Sequence, residues 1–496
     1  MTQCDVLVLG GGGSGLIAAV RAAESGKKVI VLEKTKVLGG GMLFASTQRI
    51  FGSKWQKERQ IPDQSIEFMR KGMDETLWKL DAKLVKNAIY ATGRFFDWYS
   101  AHELPEVLAQ YEPRPYVFDI PVHGQVGPQI DKFHNGSGRY VVETMKRYGE
   151  ALGVTMLTEH AAKDAIVENG RIRAIVADTP QGEETFSCKY CVLATSSWIR
   201  NEDVVRKVLP KFLDAQVEKN AHQNPAYTGD GLAIAEKVGA FIDWDSFCLR
   251  IMGPICAFGD RSDLDILCKS TYPILVNRLG KRFVAEPMVP RMDPFDTGHV
   301  LLQQPNGKSY FLFSKNMLED LIASTADNQK EGDFDLFGMP PLPPYETIYE
   351  WFEKAAQKKP QEAAIGHTVA EVARAIGLDE EALTQTVLSY NEGCAQGKDL
   401  DFFRDATTMV PLSEGPFFLV GGMLSTDGAF GGVRVNANMQ AYCADGEHVV
   451  EGLYVTGDFA SGRHIVADGV KKQVLNDMSW AYASGMIAGE QLAQAE

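Results

Sequence analysis

The sequence has no long apolar run and comparatively few basic residues. A membrane helix needs about 18–20 consecutive apolar residues, and no stretch of the 496 residues approaches that length. Lysine and arginine number 50 against 65 aspartates and glutamates, a formal net charge of −15. Nucleic acids and anionic membranes bind clustered basic residues. We therefore predict no nucleic-acid partner and no membrane span. Because no basic leader precedes the first strand, we also predict a cytoplasmic protein.

Cysteine is also sparse. Eight cysteines are scattered over the chain, and only Cys188 and Cys191 are closely spaced. The histidine that follows such a pair in a c-type haem attachment is absent, and one Cys-x-x-Cys pair supplies too few ligands for a structural zinc site. We predict no haem, iron–sulfur cluster or other metal, and we interpret the two thiols as residues of a strand that leads into the core.

What the sequence does contain is a glycine-rich loop near its N-terminus, between an apolar strand and a helix rich in small residues. In such a loop Gly10 makes a tight turn, Gly12 lets a pyrophosphate approach the backbone, and Gly15 allows the helix to pack closely on the strand. The helix N-terminus adds partial positive charge. Glu33, at the end of the next strand, is suited to accept hydrogen bonds from ribose hydroxyls. The pattern predicts a dinucleotide site.

Two further strands indicate FAD rather than NAD. One ends in residues 192–195, and the other covers residues 452–456 and leads into Gly457-Asp458. An NAD domain does not need a C-terminal segment ending in Gly-Asp, whereas the longer flavin needs a carboxylate such as Asp458 for its ribityl hydroxyls. A flavin also needs a helix N-terminus near its pyrimidine edge to stabilise negative charge. We therefore predict that the cofactor is FAD.

Further motifs follow in a fixed order along nearly the whole chain. They are Glu33-Lys34 with Gly39-Gly40-Gly41, Thr228-Gly-Asp230-Gly, Asn277-x-x-Gly280-Lys-Arg282-Phe with Glu286, Gly397-x-Asp399-x-Asp401-Phe402, and Gly457-Asp458 ahead of Arg463-His464. In these motifs the sequence resembles the flavoprotein subunits of fumarate reductases and succinate dehydrogenases, with their relatives the urocanate reductases and 3-ketosteroid dehydrogenases.

The resemblance implies an α/β fold, α+β overall, in which two segments form a Rossmann-like FAD-binding domain. Those segments are residues 1–238 and 351–496, and an α+β capping domain at 239–350 interrupts them. The sequence of this stretch differs in composition from its surroundings, since it is rich in proline and aromatic residues, and this change favours an inserted domain. The resemblance also implies hydride transfer between the flavin and a substrate carbon, with a general acid exchanging a proton.

The same comparison predicts how FAD is held and reduced. The histidine that links FAD covalently in membrane-bound members is not apparent, so we predict noncovalent FAD. No signature for an attached second flavin is present, so electrons must come from a separate donor, which is NAD(P)H, free reduced flavin or a redox protein. The predicted FAD contacts are Gly10, Gly12, Gly13, Ser14, Gly15, Glu33, Lys34, Gly40, Gly41, Met42, Ala162, Ala194, Thr195, Asp230, Gly457, Asp458, Gln473 and Val474.

The chain departs from the fumarate reductases where a dicarboxylate would bind. Lys269 aligns with their arginine proton donor, Phe417 and Phe418 stand where a carboxylate-binding histidine precedes a Gly-Gly pair, and residues 467–469 replace a second arginine. Without two cationic groups a dicarboxylate loses its hydration with no compensating partner. Fumarate is therefore not expected as the substrate, and the aromatic replacements favour a larger, flatter and less charged molecule.

The catalytic candidates are Tyr272, Lys269, Arg282, Arg463 and His464. Tyr272 is the first choice of acid, because a phenol can donate a proton to a developing enolate; its alternative role is a packed aromatic at a strand start. Lys269 is either the donor or an exposed residue of the capping domain. Arg282 either reacts or holds the capping domain or the flavin. Arg463 and His464 stand where the family has residues beside the flavin.

We therefore predict an FAD-dependent oxidoreductase that transfers hydride to an activated carbon–carbon double bond, or a related ring carbon, of a hydrophobic ring substrate of steroid or (iso)flavonoid type. Three alternatives stay open. They are a ketosteroid-type dehydrogenase that works oxidatively, reductive removal of a ring hydroxyl of the tetrahydrodaidzein reductase type, and a non-catalytic electron-relay flavoprotein, which would not need an enclosed substrate cavity.

Overall fold

The computed structural model of the chain describes residues 2–44, 47–102, 117–119, 137–215, 217–218, 226–259, 262–270, 272–286, 294–327, 341–467 and 470–496. Within these ranges the helices are α1 Gly13–Ala23, α2 Lys54–Glu58, α3 Ser65–Glu75, α4 Ala82–His102, α5 Ser137–Ala151, α6 Glu202–Val208, α7 Lys211–Asp214, α8 Asp230–Lys237, α9 Asp265–Cys268, α10 Pro294–Leu302, α11 Lys315–Asp327, α12 Tyr345–Lys358, α13 Val369–Ile376, α14 Glu380–Gln396 and α15 Asp477–Gln494.

The strands are β1 Thr2–Gln3, β2 Val6–Leu9, β3 Val29–Glu33, β4 Thr47–Arg49, β5 Val117–Asp119, β6 Thr155–Thr158, β7 Ala161–Glu168, β8 Arg171–Thr179, β9 Gly182–Ser187, β10 Tyr190–Leu193, β11 Val217–Glu218, β12 Cys248–Cys256, β13 Ile274–Asn277, β14 Ser309–Ser314, β15 Ala363–Gly366, β16 Phe417–Phe430, β17 Val433–Arg434, β18 Gln440–Tyr442, β19 Val449–Val455, β20 Ala460–Ser461, β21 His464–Ala467 and β22 Val470–Gln473. Among these residues, no helix is both long and apolar enough to cross a membrane.

The first of two compact units is built on a parallel sheet. It comprises Met1–Val208, Ala221–Leu249 and Gly428–Glu496, and its main sheet has the order β18-β19-β10-β2-β3-β6. All of these strands are parallel to their neighbours except the edge strand β18. The four side chains of β2, Val-Leu-Val-Leu, are all buried. Continuous apolar strands are typical of a parallel sheet that is covered on both faces.

Helices α1 and α15 lie very close together in this unit, because glycines form the contact. A Cβ on Gly485 of α15 would lie 2.5 Å from the carbonyl oxygen of Ser14, and a Cβ on Gly489 would lie 2.4 Å from the Cβ of Arg21. Both helices and α4 and α5 contribute apolar side chains to one core. The same unit holds a smaller sheet of order β1-β9-β8-β7.

The second unit is organised around the long strand β16. It comprises Leu209–Asn220 and Arg250–Asp427, and its sheet has the order β11-β16-β14-β13, with β12 and β15 also paired to β16. The core contains Phe418, which is fully buried, with its ring 4.8 Å from the ring of Phe352. Helices α12, α13 and α14 bury apolar side chains in this core, so they belong to the second unit.

Several sequence-based expectations can be compared with these elements. The α/β, α+β fold class is confirmed. Helices α13 and α14 begin at the N-caps Thr368 and Asp379, whose side chains accept hydrogen bonds from the N–H groups of Glu371 and Ala382. The stretch 239–350, for which we expected an α+β capping domain, contains β12, β13 and β14 and several helices. We placed the end of the capping domain at residue 350, whereas the second unit continues to Asp427.

Candidate functional site

The carboxyl ends of four strands meet at one edge of the main sheet in the first unit. Leu9 pairs with Leu32 and with Leu193, and Leu193 also pairs with Val455. The residues that follow these positions are Gly10, Glu33, Ala194 and Thr456. Open parallel sheets bind ligands at this edge. The register therefore brings together segments that are far apart in the sequence and that were predicted to bind FAD.

The glycine loop has the geometry that its fingerprint predicts. Gly10 has a φ of +107°, and a Cβ there would lie 2.3 Å from the carbonyl oxygen of Ala194. A Cβ on Gly15 would lie 2.2 Å from the carbonyl oxygen of Gly10. By contrast, a Cβ on Gly12 would meet nothing within 4 Å. Gly12 is the N-cap of α1, so the open space lies at a helix N-terminus, where a pyrophosphate fits.

Glu33 is oriented by its own loop. Its Oε2 accepts a hydrogen bond from the backbone N–H of Gly11 at 2.9 Å, and its Oε1 accepts one from the N–H of Thr35 at 2.8 Å. Each carboxylate oxygen has a second lone pair that can accept from a ribose hydroxyl. The predicted contact Ala162 is close in sequence to His160, whose N–H donates to the Glu33 carbonyl at 2.9 Å.

Lys34 and Asp230, both predicted FAD contacts, form an ion pair. The Lys34 Nζ lies 2.6 Å from the Asp230 Oδ2 and donates to the Thr228 Oγ1 at 2.7 Å. The Thr228 hydroxyl in turn donates to the Asp230 Oδ1 at 2.6 Å. Since Asp230 is the first residue of α8, this cluster fixes the start of that helix beside the end of β3.

Asp458 lies in a 3₁₀ turn, Gly457–Phe459, directly after β19. Burial, followed by the negative charges of Asp458 and Glu33, raises the pKa of the Tyr227 phenol to about 12. Tyr227 therefore interacts electrostatically with both carboxylates. A Cβ on Gly41 would lie 3.5 Å from the same phenol oxygen. Asp458 and Glu33, which were predicted to bind different parts of FAD, therefore both raise the pKa of one phenol. Our sequence analysis had not identified this tyrosine.

The remaining predicted contacts lie around the glycine loop. Ser14 accepts from the Thr456 hydroxyl at 3.2 Å, and a Cβ on Gly457 would lie 2.6 Å from the Ser14 Oγ. A Cβ on Gly13 would collide with the side chain of Met42 at 2.1 Å. Met42 belongs to the 3₁₀ helix Gly40–Phe44, together with the predicted contacts Gly40 and Gly41.

Two buried oxygen atoms at predicted FAD contacts have no hydrogen-bond partner among the described residues. They are the Thr195 Oγ1 and the Gln473 Oε1. A buried polar atom without a partner costs free energy, and a bound ligand can supply the missing hydrogen bond. Together with the open space at Gly12, these atoms fit FAD. Val474, in contrast, is buried, and a Cβ on Gly72 would lie 2.9 Å from it, so it packs against α3.

Arg463 and His464 lie in the first unit, and both are buried. The Arg463 guanidinium lies 2.8 Å from the Asp458 Oδ1 and 2.8 Å from the Asp477 Oδ1. The His464 Nε2 is 2.7 Å from the carbonyl oxygen of Ser246. Of the five catalytic candidates, these two belong to the unit that holds the glycine loop.

Lys269 and Tyr272 lie in the second unit. The Lys269 side chain is 58% exposed and pairs with Asp265 at 2.5 Å. Tyr272 is half-buried against the core of that unit. Burial raises the pKa of its phenol, an effect that a hydrogen bond with Ser324 opposes and the Asp320 carboxylate reinforces. The phenol therefore stays protonated at neutral pH, as an acid must.

Arg282 belongs to a buried ionic network in the second unit. It donates to Glu286 through its Nε and Nη2, both at 2.8 Å, and to Asp399 through its Nη2 at 2.8 Å. Arg404 adds a second cation, 3.3 Å from Glu286. Burial would by itself raise the pKa of Asp399, but the hydrogen bonds and charge of Arg282 outweigh it and lower that pKa. These contacts indicate that Arg282 stabilises the fold of the second unit.

Phe417 and Phe418 correct one interpretation. We had taken them as replacements for a substrate-binding histidine, which would place them at the substrate. They belong instead to the apolar core of the second unit, and the Phe418 ring contacts the rings of Tyr349 and Phe352. This interpretation is wrong, because β16 directs the pair into the core. The preference for a less charged substrate must therefore rest on other residues.

Comparison with known proteins agrees with this geometry. A family model described as "FAD binding domain" matches residues 5–469. Urocanate reductase of Eggerthella lenta is 26% identical, over 92% of this chain and 70% of that protein. Vinyl phenol reductase of Lactiplantibacillus plantarum is 22% identical, over 99% and 96%. A 3-oxosteroid 1-dehydrogenase of Mycolicibacterium smegmatis is 23% identical, over 92% of each.

The fold is also similar to that of solved structures. The open conformation of a flavocytochrome c3 fumarate reductase superposes with a TM-score of 0.71 at 20% identity. The match covers 99% of this chain and 78% of that one. At this identity the similarity describes the fold, and it supports the two-segment construction of the sheet that carries the glycine loop.

Proposed function

The chain belongs to the FAD binding domain family and is an FAD-dependent oxidoreductase of the fumarate reductase type, and from this premise we propose that it reduces an activated carbon–carbon double bond of an uncharged or weakly charged ring substrate. Bound FAD supplies the hydride in such a reaction. The residues of this chain bind and orient the cofactor and substrate, and one of them delivers a proton.

One observation carries the proposal on the substrate. Among the described residues, every lysine and arginine that is buried already contacts a carboxylate. Arg282 and Arg404 contact Glu286, Lys308 contacts Glu362, and Arg463 contacts Asp458 and Asp477. A buried dicarboxylate needs cationic partners to offset its desolvation. These pairs leave none of the four cations uncompensated, which favours a substrate without carboxylates.

The relatives are compatible with this substrate class. The name of the vinyl phenol reductase denotes an uncharged aromatic alkene, and that protein is similar over almost its whole length. The 3-oxosteroid 1-dehydrogenase favours a second candidate, the oxidation of a steroid ring by the same carbon–hydrogen chemistry. The compounds that these two names denote, a vinyl phenol and a 3-oxosteroid, are both ring compounds that carry a double bond or an electron-withdrawing carbonyl group. We propose reduction as the physiological direction and noncovalent FAD that is reduced by a separate donor.

The test is an anaerobic reoxidation assay. The protein is reduced with dithionite, and 4-vinylphenol, an isoflavone, a 3-keto-4-ene steroid and fumarate are added in separate experiments while the flavin absorbance is followed. We expect one of the three uncharged rings to restore the oxidised spectrum and fumarate to leave it unchanged. Rapid reoxidation by fumarate would overturn the proposal. Bleaching of the oxidised protein by a saturated 3-ketosteroid would support the second candidate.

The mode of FAD binding has its own measurement. We expect acid precipitation to release the flavin into the supernatant, because the histidine that links FAD covalently in membrane-bound members of the family is not apparent in this sequence. Flavin that stays with the precipitated protein would contradict noncovalent binding.

A further inference from the structure

We infer that Arg463 is a positioning residue for the flavin: it fixes the Asp458 carboxylate against the start of α15, and its buried charge raises both the affinity for FAD and the reduction potential of the bound cofactor. This inference depends on FAD as the cofactor and is independent of the substrate proposed above.

The contacts of Arg463 join two parts of the first unit. Its Nη2 is 2.8 Å from the Asp458 Oδ1, just beyond β19, and its Nη1 is 2.8 Å from the Oδ1 of Asp477, the first residue of α15. The Nη1 also donates to the Leu475 carbonyl at 3.4 Å. One planar group therefore sets the distance between the end of a strand and the beginning of a helix.

Burial is distributed unequally over this ion triad. The Arg463 side chain is 1% exposed, whereas Asp458 and Asp477 are 32% and 25% exposed. The cation is thus the inner member, and the carboxylates extend toward solvent, where Asp458 can meet a ligand. Charge pairs are strong in a dry environment and weak in water. A buried arginine can therefore hold the two acids in place, which an exposed one could not.

Aromatic rings complete the surroundings of the guanidinium. Its Cζ lies 5.0 Å from the centre of the Phe430 ring and 5.9 Å from that of Trp480. The Arg463 Nε has no hydrogen-bond partner among the described residues. Aromatic faces attract cations but carry no net charge. The triad of Arg463, Asp458 and Asp477 therefore has a formal charge of −1.

Independent hydrogen bonds make the same connection. The indole Nε1 of Trp480 donates to the Gly457 carbonyl at 2.9 Å, and the Gly457 N–H donates to the Ser484 Oγ at 3.0 Å. Trp480 and Ser484 both belong to α15. The helix thus holds the residue before Asp458 from both sides, and Arg463 holds Asp458 itself. The arrangement keeps one carboxylate in place, as a binding site for the hydroxyls of a ligand requires.

The electrostatic consequence follows from the sign of the charges. Reduction adds negative charge to a flavin, and FAD carries a negative pyrophosphate. Removing the cation changes the formal charge of these three side chains from −1 to −2 and removes the Arg463 contact of Asp458. Both changes disfavour FAD binding, and they disfavour the reduced form more than the oxidised form.

The experiment compares Arg463→Met and Arg463→Lys with the unchanged protein. The measured quantities are the FAD dissociation constant of the apoprotein and the reduction potential of the holoprotein. For Arg463→Met we expect at least tenfold weaker FAD binding and a tenfold shift toward the oxidised form, about 30 mV for a two-electron couple. Arg463→Lys keeps the charge and loses the two-armed geometry, so the potential should stay within a few millivolts of the original while affinity falls.

Two further variants separate this role from general stabilisation. Arg434→Met removes an exposed arginine of the same unit, packed on Phe241, and should change neither quantity. Asp477→Asn removes one negative charge and should raise the potential. If Arg463→Met fails to fold, Arg463→Lys and Asp477→Asn still decide the matter. A potential that is unchanged in Arg463→Met, or a potential that is lowered in Asp477→Asn, would overturn the inference.

Discussion

Single residues in this protein combine structural contacts with predicted ligand contacts, and Glu33 is the clearest case. Its two oxygens accept hydrogen bonds from the backbone N–H groups of Gly11 and Thr35. The same oxygens are predicted to bind the adenosine ribose. A change of this side chain should therefore affect the loop as well as the cofactor, and the two effects can be separated by the choice of substitution.

We expect Glu33→Ala to weaken FAD binding about 10- to 100-fold, since hydrogen bonds to a charged group contribute about 1.5–3 kcal/mol. Glu33→Gln keeps one acceptor and should lose less. The measurement is titration of apoprotein with FAD, followed by quenching of flavin fluorescence. Glu183→Ala, an exposed acid in the same unit, is the control. Equal affinity in Glu33→Ala and the control would remove Glu33 from the site.

Tyr272 remains our first choice for the proton donor. Burial raises the pKa of its phenol, so the group carries its proton at neutral pH. We expect Tyr272→Phe to lower turnover on the true substrate about 100- to 10,000-fold, the usual contribution of a general acid, without a change in flavin content. Lys269→Met, which removes an exposed lysine that pairs with the buried Asp265, is the matched variant. Normal turnover in Tyr272→Phe would exclude this residue; if both variants turn over normally, His464 becomes the next candidate.

At the scale of elements, the interface between α1 and α15 depends on glycine. A Cβ on Gly485 would lie 2.5 Å from the Ser14 carbonyl oxygen. Alanine is the better helix former by about 0.5–1 kcal/mol, so propensity alone would favour it. Because backbone cannot move aside cheaply in a packed core, overpacking should outweigh this gain.

We therefore expect Gly485→Ala to lower the free energy of unfolding by about 1–3 kcal/mol and to weaken FAD binding, since α1 carries the glycine loop. Urea denaturation of the apoprotein measures the first effect and FAD titration the second. Gln494→Ala, at the exposed end of the same helix, should be neutral. A stabilised Gly485→Ala variant would show that the two helices have room to separate.

The ionic network that connects β13 with the segment after α14 gives a pH-dependent prediction. The pKa of Asp399 is lowered in the folded protein, so its contribution to stability is complete above its unfolded pKa of about 3.9. It is lost as the pH falls toward the lower folded value. At neutral pH, Asp399→Asn should cost about 3–5 kcal/mol, as for a broken buried pair.

The difference between Asp399→Asn and the unchanged protein should consequently shrink below about pH 4. Urea denaturation at neutral pH and at several acidic values measures it. Asp401→Asn, two residues along and partly exposed, is the control. A difference that stays constant down to the acid limit would mean that Asp399 is not ionised in the folded state.

Elements with local signals were predictable from the sequence, and contacts between distant elements were not. The start of α14 has a local signal at its N-cap Asp379, because an N-cap needs only a short polar side chain beside the first turn. The glycine loop was predictable for the same reason, since its glycines are required by close contacts within the adjacent strand, turn and helix. The bond from Arg282 to Asp399 spans 117 residues, and nothing in either motif specifies the other. The core position of Phe418 likewise depends on the strand register.

The chain divides into two compact units, and each of the two apolar cores described above lies within one of them. One core is formed entirely by residues of the first unit and the other entirely by residues of the second. The resemblance to the fumarate reductases implied that an N-terminal and a C-terminal segment would combine in one domain. The sequence could not give the end of the second unit, because α12, α13 and α14 have ordinary amphipathic patterns that fit either core.

This division predicts how FAD should affect unfolding. Gly12, Glu33 and Asp458 all belong to the first unit. A ligand stabilises the state that binds it by about 2.7 kcal/mol at a hundred times its dissociation constant. We therefore expect two unfolding transitions, of which FAD shifts only one. Because the units are interleaved along the chain, neither can be cut out, so the transitions must be assigned within the intact protein.

The tryptophans make that assignment possible. Of the seven tryptophans, only Trp351 lies in the second unit, so the fluorescence of a Trp351→Phe variant reports the first unit alone, while circular dichroism reports both. In this variant the fluorescence midpoint should rise with added FAD, and the second transition, visible only by circular dichroism, should not move. Asp399→Asn should do the opposite, lowering the second transition and leaving the fluorescence midpoint in place. A single transition that shifts both with added FAD and with Asp399→Asn would contradict this prediction. It would show that the two units unfold as one cooperative system.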